Sequence, residues 1–90
     1  MTLTELRYIV TLAQMQHFGK AAERCNVNQS TLSIAVKKLE GELGIELFER
    51  SKNNVRATPI GEQVIKQAQR VLEEAAAIKD IAMSGKDQLN

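Results

Sequence analysis

From Pro59 onward, apolar residues return at alternating intervals of four and three: Val64, Ala68, Val71, Ala75, Ile78 and Ala82. That spacing describes a helical seam of the coiled-coil kind. Thr58-Pro59 opens the helix, with Thr as N-cap and Pro at the first helical position, where its missing N–H leaves nothing unsatisfied. Gly85 is the expected stop. A helix of about 26 residues is roughly 40 Å long. The stretch before Thr58 can build only a small head, too small to cover such a seam. The seam therefore needs another helix, most simply the same one from a second copy. The dimer interface expected on it comprises Ile60, Val64, Ala68, Val71, Leu72, Ala75 and Ile78.

The chain has 90 residues, 43% of them apolar, with only Tyr8, Phe18 and Phe48 aromatic. This composition excludes disorder and predicts one small aliphatic core. A single cysteine, Cys25, excludes an internal disulfide. No apolar run is long enough to span a bilayer, and Glu5 and Arg7 interrupt any signal-peptide pattern. A reducing, cytoplasmic setting is expected. One His, one Cys, no Gly-rich phosphate loop and scattered carboxylates leave no catalytic or metal-binding constellation. No enzyme activity and no cofactor are expected. The net charge is only +1, so a nucleic-acid partner would have to be engaged by local charge placement.

The head divides into three helices and a hairpin. Thr2-Leu3-Thr4-Glu5 is a capping box, and Leu3, Leu6, Ile9, Val10 and Ala13 follow at helical spacing to about Gln14. A short second helix is expected from Phe18 to Cys25, where Ala21 and Ala22 permit close helix packing. Asn26 suits the left-handed turn after it, and Asn28 is an N-cap for the third helix. There, Leu32, Ala35, Val36, Leu39 and Leu43 mark a buried stripe, while Ser30, Ser33, Ile34, Lys37 and Gly41 face outward. No acid occurs from Asn26 to Lys38. Gly44 ends this helix. Leu47–Arg50 and Val55–Thr58 read as two strands, joined by Ser51-Lys52-Asn53-Asn54, whose Asn pair accepts a tight hairpin turn.

A helix, a turn and a second helix followed by a basic hairpin make a winged helix-turn-helix. The major groove admits one α-helix, and short polar groups at its N-terminal turns meet the base edges. Gln29, Ser30, Thr31 and Ser33 meet that need, and Ile34 suits a thymine methyl. Lys37 and Lys38 suit phosphates. Arg50, Lys52, Asn53, Arg56 and Thr58 are the expected wing and phosphate contacts. A solvated, aggregation-resistant edge is the other reading of that hairpin, and strand alternation can split its cations between two faces. Cys25 reads as a buried structural thiol, and His17 as a helix cap or a phosphate contact.

The pattern Phe18-x-x-Ala21-Ala22-Glu23, Val27-x-Gln29-x-Thr31-Leu32-Ser33, Lys38-Leu39-Glu40-x-x-Leu43-Gly44-x-x-Leu47-Phe48-x-Arg50 resembles the bacterial LysR-type transcription regulators, and Thr58-Pro59-Ile60-Gly61 resembles the start of their linker helix. Ala13 to Cys25, with His17-Phe18 and the cysteine closing the second helix, resembles the peroxide-sensing members. The resemblance covers essentially the whole chain. It implies a mainly α winged helix-turn-helix at residues 1–58, a dimerising linker helix at 59–84, and the start of a hinge to an effector domain at 85–90. It implies double-stranded DNA with a partly palindromic operator as partner, homodimers through the linker helix, and tetramers of the full-length regulator. Base contacts carry over to Gln29, Ser33 and Arg50. The chain departs from the family at Ser30, where Pro is usual, and at Ile34, where Arg is frequent. Two other readings stand beside this one: a dimeric helical scaffold that binds protein through Ser30, Ile34 and Lys37, and a winged-helix repressor of another family.

Overall fold

The computed structural model describes residues 1–52 and 54–89, the side chains of 87–89 excepted. In chain order the elements are α1 (Leu3–Met15), α2 (Phe18–Arg24), α3 (Gln29–Leu43), β1 (Phe48–Ser51), β2 (Asn54–Ala57) and α4 (Pro59–Leu89). The winged helix-turn-helix with a long C-terminal helix is thus the observed fold.

Local signals place the helix ends. Thr2 Oγ1 accepts the Glu5 N–H at 3.1 Å, and Glu5 Oε1 accepts the Thr2 N–H at 2.9 Å, which closes the capping box. Asn28 Oδ1 accepts the Thr31 N–H at 2.7 Å and caps α3. Asn26 and Gly44 take the left-handed turns expected of them, at φ 59° and 70°. Gln16 adopts a third, at φ 54°, and ends α1. Nothing in the local sequence marked Gln16 for this role.

Leu6, Ile9 and Leu12 of α1, Ala21 and Ala22 of α2, and Leu32, Val36 and Leu39 of α3 form one buried core. Leu47, Phe48 and Val55 extend this core under the wing, and Ile65 and Ala68 extend it onto α4. The α3 stripe ends earlier than its periodicity predicts. Leu43 is 39% exposed, because the last turn of α3 runs past the core. Close by, the Met1 ammonium donates to Glu42 Oε2 at 2.7 Å. That hydrogen bond holds the exposed Glu42 carboxyl below its ordinary range and raises the ammonium above its own.

The strands lie one residue later and one earlier than expected, because Leu47 and Thr58 are committed elsewhere. Leu47 N–H donates to Glu40 Oε2 at 2.7 Å. Thr58 Oγ1 donates to Glu46 O at 2.7 Å and accepts the Gly61 N–H at 2.9 Å. Gly61 must be glycine: a Cβ there would sit 2.1 Å from Leu47 O.

Two expectations for α4 are corrected. The helix does not stop at Gly85 but continues to Leu89. A glycine ends a helix when it adopts positive φ, and Gly85 does not. Within a helix it costs only about 1 kcal/mol. Secondly, the near half of the apolar seam is already in use. Ala68 is 3% exposed, and Val64 and Leu72 pack against the same core. Ala68 therefore has no area left to bury against a partner. Val71, Ile78 and Ile81 remain exposed at 37%, 68% and 72%. The helix can outrun its head because 31 residues at about 1.5 Å each exceed the 25 × 19 Å cross-section of the molecule.

Candidate nucleic-acid interface

The interface starts from the way α3 leaves its cap. Asn28 satisfies one backbone donor of the first turn, so Gln29, Ser30 and Thr31 emerge exposed at the helix start. Leu32 and Val36 point inward at 0% and 1% exposure, which turns Ser33 and Ile34 away from the core. Ile34 is 68% exposed in the middle of this polar face. Lys37 and Lys38 continue it, both exposed.

The wing stands against this helix start. An open cleft of about 550 Å³ is lined by Gln29 and Ser33 of α3, Arg50, Ser51 and Lys52 of the wing, and His17, Phe18 and Gly19 at the start of α2. The Val55 N–H donates to Gln16 O at 3.2 Å and ties the wing to the α1–α2 turn. His17 serves as the cap of α2, its Nδ1 accepting the Lys20 N–H at 3.1 Å. The Arg50 guanidinium lies 4.7 Å from the centre of the Phe18 ring.

The expected contact residues do not all converge. Gln29, Ser33, Arg50 and Lys52 share the cleft, and Ser30, Thr31, Ile34 and Lys37 lie on the exposed face beside it. Arg56 does not line that cleft, although it shares a second, smaller one on the wing with Arg50 and Ser51. It pairs across the ladder with Glu49, whereas Arg50 pairs with Val55. Successive strand residues point to opposite faces, so Arg56 lines another cleft with Glu62 and Lys66. Thr58 is no phosphate contact: it is buried at 8% exposure, and its hydroxyl is fully engaged inside the chain. Asn53 lies outside the described residues. Cys25 is half-buried at the C-terminal cap of α2 rather than within the core.

Phe18 and Glu40 stand in the sequence pattern without a role of their own. Phe18 opens the cleft from α2, and Glu40 holds the root of the wing from α3. Each acts on residues distant in the chain, so spacing carries no signal for them.

The family described as bacterial regulatory helix-turn-helix proteins, lysR family, matches residues 3–62. The chain belongs to the lysR family. Among its relatives is the hydrogen peroxide-inducible genes activator of Haemophilus influenzae, 44% identical over 82 residues, which make up 91% of this chain and 27% of that one. The structure of a full-length OxyR variant from Pseudomonas aeruginosa superposes with a TM-score of 0.92 at 67% identity, over 99% of this chain and 30% of that one. The BenM DNA-binding domain, solved in complex with catB site 1 DNA, gives a TM-score of 0.92 at 32% identity, over 100% and 97% of the two chains. This lysR-family chain thus spans less than a third of the length of the full-length regulators it matches.

Proposed function

We propose that this lysR-family helix-turn-helix domain binds double-stranded DNA for a peroxide-responsive transcription regulator. The observation that carries the reading is the convergence of Gln29 and Ser33 with Arg50 and Lys52 on one open cleft. With α3 in a major groove, its polar N-terminal turns meet base edges, and the wing cations meet the flanking backbone or minor groove. The BenM domain, of the same fold, was solved on DNA. The Haemophilus relative supports the peroxide response, which is proposed for the regulator as a whole. Two copies pair through the free part of α4 and place two α3 helices on two half-sites of a partly palindromic operator; tetramers are proposed for the full-length regulator. The regulator acts in the cytoplasm, on the nucleoid, and performs no catalysis.

The test is a salt titration of binding to duplex DNA. Sequences are first selected from a random duplex library with this chain, and their affinity is compared with that of unselected duplex. Neutralised phosphates release counterions, so log affinity falls with log salt by about 0.9 per contact. Selected duplex should bind at least about 1,000-fold more tightly than unselected duplex. A protein-binding scaffold would show neither the slope nor the preference.

A further inference from the structure

The proposed DNA contact at Arg50 poses a physical problem. Arg50 is exposed on a short strand and has several rotatable bonds. Among the described residues, the ion pairs within 4 Å are those of the Met1 ammonium with Glu5 and Glu42. Among those residues no carboxylate orients the guanidinium, and fixing such a side chain on DNA carries an entropic cost. The structure supplies an orienting group of another kind. Phe18 is half-buried, packs against the core from the first turn of α2, and presents its ring to Arg50 with 4.7 Å between guanidinium carbon and ring centre. A guanidinium over a ring face is held electrostatically, and its plane keeps its N–H groups free at the edge. A carboxylate partner would consume the charge that a phosphate or base needs. The ring leaves it available.

We propose that Phe18 is a positioning residue for DNA recognition, holding the Arg50 guanidinium at the mouth of the cleft between α3 and the wing before DNA arrives. The proposal rests on the DNA-binding reading above and assigns a role within it. Phe18 is anchored in the α2 turn beside Gln29, and a Cβ on the intervening Gly19 would lie 3.6 Å from Gln29 Oε1. The ring thereby sets Arg50 in register with the first turn of α3, and the two reading groups approach DNA as one unit.

The test is a double-mutant cycle on the whole chain, with selected and unselected duplexes followed by fluorescence anisotropy. Phe18→Leu should weaken selected-duplex binding about two- to fivefold, the range of an exposed cation–π contact. In an Arg50→Ala background the same substitution should change nothing. Phe18→Tyr keeps a ring face and should retain wild-type affinity. Arg50→Lys keeps the charge, and with it the salt slope, but should lose part of the preference for selected duplex. A readout without DNA accompanies the cycle: the Arg50 side-chain protons should be shifted upfield by the ring in the NMR spectrum of the free protein, in wild type and Phe18→Tyr but not in Phe18→Leu. An equal loss from Phe18→Leu with and without Arg50, or Arg50 protons unshifted in wild type, overturns the proposal. Should wild type show no salt-dependent binding to any duplex, it is the underlying DNA reading that fails, whereas the NMR shift still reports on the contact.

Discussion

Glu40 Oε2 accepts two backbone N–H groups at the root of the wing, Leu47 at 2.7 Å and Phe48 at 3.3 Å. One carboxylate on α3 thus fixes the direction in which the chain enters β1, and with it the position of Arg50 relative to the first turns of α3, which are proposed to face DNA. Both donors belong to buried residues. Glu40→Ala leaves two buried amides unsatisfied and should destabilise the domain by about 2–4 kcal/mol. Glu40→Gln keeps an acceptor oxygen and should cost about 1 kcal/mol. Urea denaturation of the two variants checks this; equal midpoints would show that the carboxylate does not hold the wing.

Two glycines should respond to alanine with opposite sign. At Gly61 the added Cβ meets Leu47 O, a backbone atom that cannot turn aside, so Gly61→Ala should cost about 3 kcal/mol or more. At Gly41, on the exposed face of α3, nothing lies within 4 Å of a Cβ. Gly41→Ala should stabilise by about 0.5–1 kcal/mol through helix propensity. Thermal melts of the two variants measure both shifts.

Ile34 is the one large apolar side chain on the exposed face of α3 ahead of Leu43. If it covers a thymine C5-methyl, replacing that thymine by deoxyuridine removes the contact without altering base pairing. Wild type should lose about threefold in affinity at that position, as expected for one methyl-sized apolar contact. Ile34→Ala should bind the thymine and deoxyuridine duplexes equally. A scan of single deoxyuridine substitutions through the selected duplex, read by anisotropy, locates the position; indifference of wild type at every thymine would remove Ile34 from base reading.

The free part of α4 carries the proposed pairing. Ile78 and Ile81 are exposed beyond the segment that packs on α1, and Val71 leads into them. Ile78→Asp places a charge there, far from the head. Sedimentation should show mainly monomer, and circular dichroism an intact head. Binding to selected duplex should fall by about 100-fold or more, since two half-sites no longer act together. Ala68→Asp, by contrast, should unfold the head, because Ala68 lies in its core.

What the sequence determined by itself lies within a few residues of its cause. The caps at Thr2, Asn28 and Thr58 and the left-handed turns at Asn26 and Gly44 rest on contacts one turn away or less, and the stripe of Leu32, Val36 and Leu39 is written in helical periodicity, although its cover comes from α1 and α2. Side-chain chemistry at such range is written in the spacing. The tertiary structure decided everything that required two distant segments to meet. It turned the Thr58 hydroxyl inward onto Glu46 O, sent Arg56 to the face opposite Arg50, and spent Ala68 on the head rather than on a partner. Periodicity marks a face as apolar or polar, but it does not say which neighbour covers that face. That choice is made by competition for burial across the whole fold, and it is why Phe18 and Arg50 meet, although neither residue's local sequence points to the other.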